Sequence, residues 1–194
     1  MLRVCVFCGA NAGSQAVYAE GARCFGRALA GRGLELVYGG GHVGLMGILA
    51  DAVLEAGGKV IGVIPQSMVT RELAHPRLTE LHVVATMHKR KELMADRADA
   101  FAALPGGFGT GDELFEVLTW AQLGLHTKSI GLLNVRGFFD PLLAWLDHTV
   151  QEGFLRPEHR LLLRCSDDPE SLLDVLFRGP ATFVPPKWID ESDR

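Results

Sequence analysis

One stretch, residues 101–116, constrains the fold of this 194-residue chain more than any other. It begins with a short apolar run that Pro105 ends, which is typical of a strand buried on both faces. A glycine-rich turn follows, and after Thr110 the apolar residues recur at helical spacing. The pattern predicts a strand, a glycine loop and a helix. One interpretation is structural: Thr110 is the N-cap of that helix and Glu113, three residues later, completes a capping box. It does not account for the double glycine or for two carboxylates beside the loop.

This arrangement predicts an anion site. N–H groups at a helix N-terminus face the preceding loop, and the helix dipole favours negative charge there. Glycine lets the backbone approach a bound oxygen closely, because it has no Cβ. The loop lacks the lysine of a P-loop, and Asp112 stands where the dinucleotide fingerprint needs a glycine. Two carboxylates, Asp112 and Glu113, suggest a neighbouring centre that becomes positive during reaction, such as a ribosyl C1′ that loses its base.

Strand-like and helix-like segments alternate along the chain. The predicted strands are residues 3–7, 34–38, 59–64, 81–84, the run from 101, 129–133 and 161–165. The predicted helices are residues 15–30, 45–55, 88–97, the helix after Thr110, 138–151 and 169–177. This alternation predicts an α/β fold, a doubly wound, Rossmann-like parallel sheet with helices on both faces. We predict one nucleotide-binding catalytic domain over residues 1–179 and a loosely ordered tail over residues 180–194.

Three glycine-bearing loops should meet at one edge of this sheet, because right-handed crossovers place every strand-to-helix loop there. They are residues 9–13, 39–44 and 106–111, so Gly9, Gly40 and Gly41 are secondary candidates for substrate contact. The second loop matches Gly-x-Gly-x-x-Gly, but the acidic residue expected about 20 positions later is missing, which disfavours a dinucleotide cofactor. The alternative is that these glycines serve only tight turns and close packing of helix against strand.

Charge and hydropathy exclude several partners. The formal net charge of −4 gives no basic field for DNA or RNA, so we expect no nucleic-acid polymer as partner. No apolar run reaches the roughly 18 residues of a membrane span, and the N-terminus lacks the layout of a signal peptide. We therefore predict a cytoplasmic protein.

Cys5 and Cys8 are three apart in a strand-like run and should face opposite sides as core residues. We expect no metal site and no other cofactor.

The charged segment at residues 87–94 predicts a helix whose first turn lies at the same sheet edge. Arg90 or Lys91 could supply the cation that a bound phosphate or ribose needs. Lys89 is expected on the solvated face of the helix. His88 could act as a general acid or base, although a histidine at a helix start is more often incidental.

Two spaced motifs carry a family resemblance. They are Met87-His88-x-Arg90-Lys91 and Pro105-Gly-Gly-Phe-Gly-Thr110-x-x-Glu113, and further matches lie at residues 37–41, 44–47, 70–72, 119–126 and 131–134. From about residue 3 to residue 175, the chain resembles the LONELY GUY (LOG) family of cytokinin-activating phosphoribohydrolases, long misnamed lysine decarboxylases.

The resemblance implies hydrolysis of the N-glycosidic bond of an adenine-type nucleoside 5′-monophosphate. It places the family's essential arginine at Arg90 and its essential glutamate at Glu113. Together with the glycine loop, it gives further candidate contacts for the substrate: Glu72, Lys91, Gly106, Gly107, Phe108, Gly109, Thr110, Gly111, Asp112 and Thr119, with Met87 and His88 as secondary candidates. It also implies a homodimer or larger assembly, which agrees with the apolar residues around the helix that follows the loop.

The chain departs from the family pattern in two loops. Thr110-Gly111-Asp112-Glu113 replaces Thr-Leu-Glu-Glu, and Cys8-Gly9-Ala10-Asn11 replaces Cys-Gly-Ser-Ser. Neither change touches Arg90, so the activity should survive.

Two other functions stay open. One is a non-catalytic carrier or sensor of a nucleotide or molybdopterin-like cofactor on the same fold. The other is a pyridoxal-phosphate decarboxylase, for which no lysine lies in a persuasive context.

Overall fold

Seven parallel strands form one sheet in the computed structural model, which describes residues 1–69 and 74–178. The strands are β1 (Arg3–Phe7), β2 (Glu35–Tyr38), β3 (Val60–Pro65), β4 (Glu80–Val84), β5 (Ala100–Ala103), β6 (Ser129–Leu133) and β7 (Leu163–Ser166). Their order across the sheet is β4-β3-β2-β1-β5-β6-β7. The strand order reverses between β1 and β5, and the crevice at such a reversal is where open α/β sheets bind ligands.

The helices lie on both faces of the sheet, as predicted. They are α1 (Ala16–Gly31), α2 (Gly44–Glu55), α3 (Gln66–Val69), α4 (Met87–Asp96), α5 (Phe108–Gln122), α6 (Asp140–Gln151), α7 (Pro157–Arg160) and α8 (Pro169–Phe177). Helices α1, α2 and α8 share one apolar cluster with the sheet, and α4, α5 and α6 share the other. The doubly wound α/β fold is confirmed.

Strand β1 shows why the central strands appear in the sequence as continuous apolar runs. Val4 and Val6 pack in the cluster beneath α1, α2 and α8, whereas Cys5 and Phe7 pack in the opposite one. From residue 4 to residue 7 both faces are buried, so this part of the strand is entirely apolar. Cys8 lies in the cluster opposite to Cys5, and both thiols are free and buried. Burial raises the pKa of both thiols, which agrees with core residues.

The start of α5 differs from the prediction. The helix begins at Phe108, and Gly107 occupies the N-cap position. Thr110 and Glu113 therefore lie inside the helix, and the predicted capping box is wrong. The physical reason is a local packing contact: the Thr110 side chain is buried against Gly106, four residues earlier, where any side chain would collide with it. Thr110 thus packs across the loop instead of capping the helix.

Two other elements begin two residues later than predicted, and the remaining boundaries agree to within one residue. The last strand begins at Leu163, because the N–H groups of Leu161 and Leu162 still bond back to the short helix α7 at residues 157–160, which the sequence did not predict. The helix expected from residue 138 begins at Asp140, after a 3-10 turn at Val135–Gly137. Residues 70–73 and the predicted tail at 180–194 lie outside the described residues. Within residues 1–69 and 74–178, no helix is long and apolar enough to cross a membrane.

Candidate active site

A pocket of about 510 Å³ opens at the carboxyl edge of the sheet, beside the reversal between β1 and β5. Three segments supply much of its lining: the loop after β1 (residues 8–13), the loop after β5 with the first turns of α5, and the start of α4. Each follows a parallel strand, so the fold brings them to one edge. The glycine loops after β1 and β5 therefore meet, as predicted. The third predicted loop, residues 39–44, does not line the pocket, although its Gly44 packs against the backbone of Ala10 and Asn11.

Arg90 and Glu113 form a buried ion pair in this pocket. Nη2 of Arg90 donates a hydrogen bond to Oε1 of Glu113 at 3.2 Å, and the two residues are 8% and 9% exposed. They come from different helices, α4 and α5. Nε of Arg90 is buried without a hydrogen-bond partner among the described residues. An unsatisfied buried donor is costly, and a bound ligand that accepts from it would remove that cost.

The carboxyl group of Glu113 has a pKa close to neutral pH. Burial raises the pKa of Glu113 to about 7, although Arg90 acts to lower it. The nearby carboxylate of Asp112 adds to the rise. A carboxyl group that titrates near neutral pH suits a general base, and strongly perturbed groups in a cleft are frequent at active sites.

Lys91 joins α4 to the first turns of α5. Its Nζ lies 3.0 Å from Oδ2 of Asp112 and 3.1 Å from Oε1 of Glu116. Burial acts to lower the pKa of Lys91, but its hydrogen bonds to the two carboxylates outweigh that effect, so the pKa lies above its usual value. Lys91 therefore keeps a positive charge at the pocket.

The N-terminus of α5 is better suited to an anion than that of α2. Gly107, at the N-cap of α5, has no side chain to cap the first N–H groups, and neither Gly107 nor Gly109 has an atom within 4 Å of where a Cβ would lie. At the start of α2 the N–H groups already have an acceptor, because those of Leu45 and Met46 donate to the carbonyl oxygen of Gly9 at 3.0 and 3.4 Å. The predicted anion site stays a prediction, with α5 as the helix that has the donors for it.

Most of the predicted site residues line this pocket: Gly9, Met87, Arg90, Lys91, Gly106, Gly107, Phe108, Gly109, Thr110, Asp112 and Glu113. Gly111 belongs to the first turns of α5 but does not line the pocket, and His88 is exposed on α4. Gly40 and Gly41 are buried away from it, where Gly41 accepts a hydrogen bond from the hydroxyl of Tyr38 at 3.1 Å.

Thr119, another predicted substrate contact, does not line the pocket either. Thr119 lies farther along α5, where its hydroxyl donates to the carbonyl of Phe115 at 2.7 Å. It lines a separate cavity of about 100 Å³, together with Gln122 and His159. Glu72 lies outside the described residues.

An apolar wall completes the pocket, and the sequence did not predict it. It consists of Tyr18, Met46, Met68 and Phe138, and the rings of Tyr18 and Phe138 meet edge to face at 5.7 Å. Phe138 follows β6, so its position after a parallel strand was a usable signal. Among the described residues, no group of three or more His, Cys, Asp or Glu side chains is placed to hold a metal ion.

The fold has known relatives of low sequence identity. The molybdenum cofactor binding protein of Rippkaea orientalis superposes with a TM-score of 0.69 at 20% identity, over 90% of this chain and 94% of that one. The molybdenum cofactor carrier protein of Chlamydomonas reinhardtii has a TM-score of 0.69 at 19% identity, over 91% and 96%. Identity this low shows a shared fold and nothing about the ligand.

Sequence relatives are much closer. Residues 46–176 match a family model described as "Possible lysine decarboxylase". The cytokinin riboside 5′-monophosphate phosphoribohydrolase LOG1 of Arabidopsis thaliana is 47% identical over 174 residues, which is 90% of this chain and 82% of that protein. The probable enzyme of the same name, LOGL1, of Oryza sativa subsp. japonica is 49% identical over 171 residues, 88% of this chain and 77% of that protein. At this identity and coverage, the chain belongs to the LOG family.

Proposed function

We propose that this protein is a phosphoribohydrolase. It cleaves the base–ribose bond of adenine-type nucleoside 5′-monophosphates, a cytokinin riboside 5′-monophosphate or AMP, and releases the free base and ribose 5-phosphate. The observation that carries the proposal is the buried pair of Arg90 and Glu113, set beside a helix N-terminus that can hold a phosphate. Relatives at 47–49% identity are named for this activity.

The phosphate is proposed to lie at the start of α5. There the N–H groups of residues 108–110 and the helix dipole favour an anion. Lys91, on the neighbouring helix, offsets the carboxylates of Asp112 and Glu116 and so reduces the repulsion that a phosphate would meet there. The apolar wall of Tyr18, Met46, Met68 and Phe138 suits the flat face of an adenine ring or an apolar substituent on it.

Chemistry at C1′ then depends on Glu113. As the bond from C1′ to the base nitrogen breaks, the bonding electrons leave with the base and the ribosyl ring becomes cationic. The ionised carboxylate of Glu113 stabilises that charge, and it accepts a proton from the water whose oxygen bonds to C1′. The departing base gains a proton, so one water molecule is consumed overall. Arg90 cannot realistically give up a proton, so it binds and orients the substrate and Glu113.

We also propose a homodimer. Several large apolar side chains on and beside α5 and α6 are exposed: Phe115, Leu123, Leu125, Trp145 and Phe154. Other apolar residues of α5, such as Leu114 and Val117, are buried in the chain's own core. The exposed set therefore forms a separate surface that a second copy would cover. The cytoplasmic location stays a prediction from the sequence.

The test is a panel of substrates assayed for released base. AMP and N6-isopentenyladenosine 5′-monophosphate should be hydrolysed with a much higher kcat/KM than adenosine and N6-isopentenyladenosine, because the phosphate contacts supply binding energy that can be used in the transition state. Multiple turnovers would also exclude a non-catalytic carrier. Equal kcat/KM for each nucleotide and its nucleoside would contradict the phosphate site, and no base released from any of them would contradict the proposed function.

A further inference from the structure

We infer that Gly39 is a positioning residue for Arg90. The missing side chain at Gly39 leaves the space in which the guanidinium group lies beside Glu113. This inference rests on the proposed function, because it concerns the same ion pair. It assigns a purpose to a glycine that does not itself line the pocket.

The two residues are in close contact although 51 positions separate their numbers, 39 and 90. Gly39 is buried and directly follows β2, and Arg90 approaches it from α4. A Cβ built on Gly39 would overlap Nη2 of Arg90, and it would lie 2.9 Å from Cζ and 3.3 Å from Nε. The guanidinium group thus packs directly against the backbone of Gly39.

The requirement at this position is one of space and not of backbone conformation. Gly40, the next residue, has a φ of 73°, a left-handed conformation that other residues rarely adopt. Gly39 is not among the glycines with positive φ. Alanine at residue 39 is therefore compatible with the backbone, and its main effect would be the collision with Arg90. Because the colliding atoms are at the end of a long side chain, Arg90 should move and the sheet should stay intact.

That movement would disturb the hydrogen bond between Arg90 and Glu113. Nη2, the atom that a Cβ would overlap, is also the atom that donates to Glu113 at 3.2 Å. The other contacts of the guanidinium are weak, since Nη1 faces the sulfur of Met87 at 3.4 Å and Nε has no partner among the described residues. The backbone of Gly39 on one side and the carboxylate of Glu113 on the other therefore fix the position of the Arg90 guanidinium group.

The experiment is the Gly39→Ala variant with a packing control. We expect kcat for AMP to fall by about tenfold to a hundredfold, because a displacement of about 1 Å in a catalytic group can cost that much, while the melting temperature changes little. The pH at which activity rises should also move upward, since Glu113 loses its nearest cation. The control is Gly58→Ala, where a Cβ would lie 2.7 Å from Cγ1 of Val53 and 2.9 Å from Cβ of Ala30, away from the pocket. It should lower stability and leave kcat near the wild-type value.

A double-mutant cycle separates this role from a general structural one. Lysine has no guanidinium group to collide with residue 39, so in the Arg90→Lys background the Gly39→Ala change should cost less than about twofold in the residual activity. Near-normal kcat in Gly39→Ala, or an equal loss in both backgrounds, would overturn the inference. A wild-type protein that releases no base would contradict the proposed function instead. A crystal structure of Gly39→Ala would then still test whether Arg90 moves.

Discussion

At the scale of single residues, two features of its surroundings shift the pKa of Glu113 in opposite directions. Burial disfavours the ionised form, whereas Arg90 favours it, and burial dominates because the pKa lies at about 7. An ionised carboxylate in such a place has few waters around it. Its charge therefore interacts strongly with a cation that develops beside it, which is what cleavage at C1′ requires.

The raised pKa of Glu113 predicts a dependence of stability on pH. The folded protein holds the proton up to pH of about 7, whereas the unfolded chain releases it near 4.5, so stability falls as the pH rises between these values. Relative to Glu113→Gln, which cannot ionise, the wild type should lose about 3 kcal/mol of unfolding free energy between pH 4.5 and pH 8. Urea denaturation of both proteins across this range measures the difference. Parallel curves for the two proteins would show that Glu113 titrates normally.

Also at this scale, the family resemblance predicted Arg90 and Glu113 as the catalytic residues, and the structure brings these two side chains together. Part of their local structure was predicted wrongly. Thr110 three residues before Glu113 satisfies the pattern of a capping box. The pattern does not show that the Thr110 side chain packs against Gly106, four residues earlier, and that the helix begins before Thr110. The role inferred for Gly39 was likewise invisible, because nothing local connects residue 39 with residue 90.

At the scale of elements, α5 has two different surfaces on different faces. Its first turns border the pocket, while Phe115 faces outward, 37% exposed, and meets Trp145 of α6 edge to face at 5.9 Å. Trp145 is itself 53% exposed, and Phe154, just after α6, is 81% exposed. Rings of this size on neighbouring elements make a continuous apolar surface, which is typical of a contact between subunits.

This surface predicts the oligomeric state. Light scattering at micromolar concentration should give the mass of a dimer, and Trp145→Glu should shift it toward a monomer, because a charge would be buried without a partner at the contact. Val83→Glu is the matched control: Val83 is 47% exposed on β4, at the far edge of the sheet, and the variant should stay dimeric. A monomeric wild type would contradict the proposed dimer.

At the scale of the whole molecule, the sequence predicted the topology well, because alternating strands and helices leave few arrangements for a parallel sheet. The meeting of the loops after β1 and β5 followed from that topology alone. The wall that includes Tyr18 and Phe138 did not, since side chains from α1 and from the segment after β6 meet only through the tertiary fold. Helix α7 was missed because four residues are too few for a helical pattern.

The central claim is that Glu113 acts on the reacting ribose, and the Glu113→Gln variant tests it most directly. This change keeps the shape of the side chain and removes its charge. In a folded variant assayed with AMP at pH 8, kcat should fall by about two orders of magnitude or more, while KM changes little, because the charge acts mainly in the transition state. A folded Glu113→Gln protein with near-normal kcat would contradict the account.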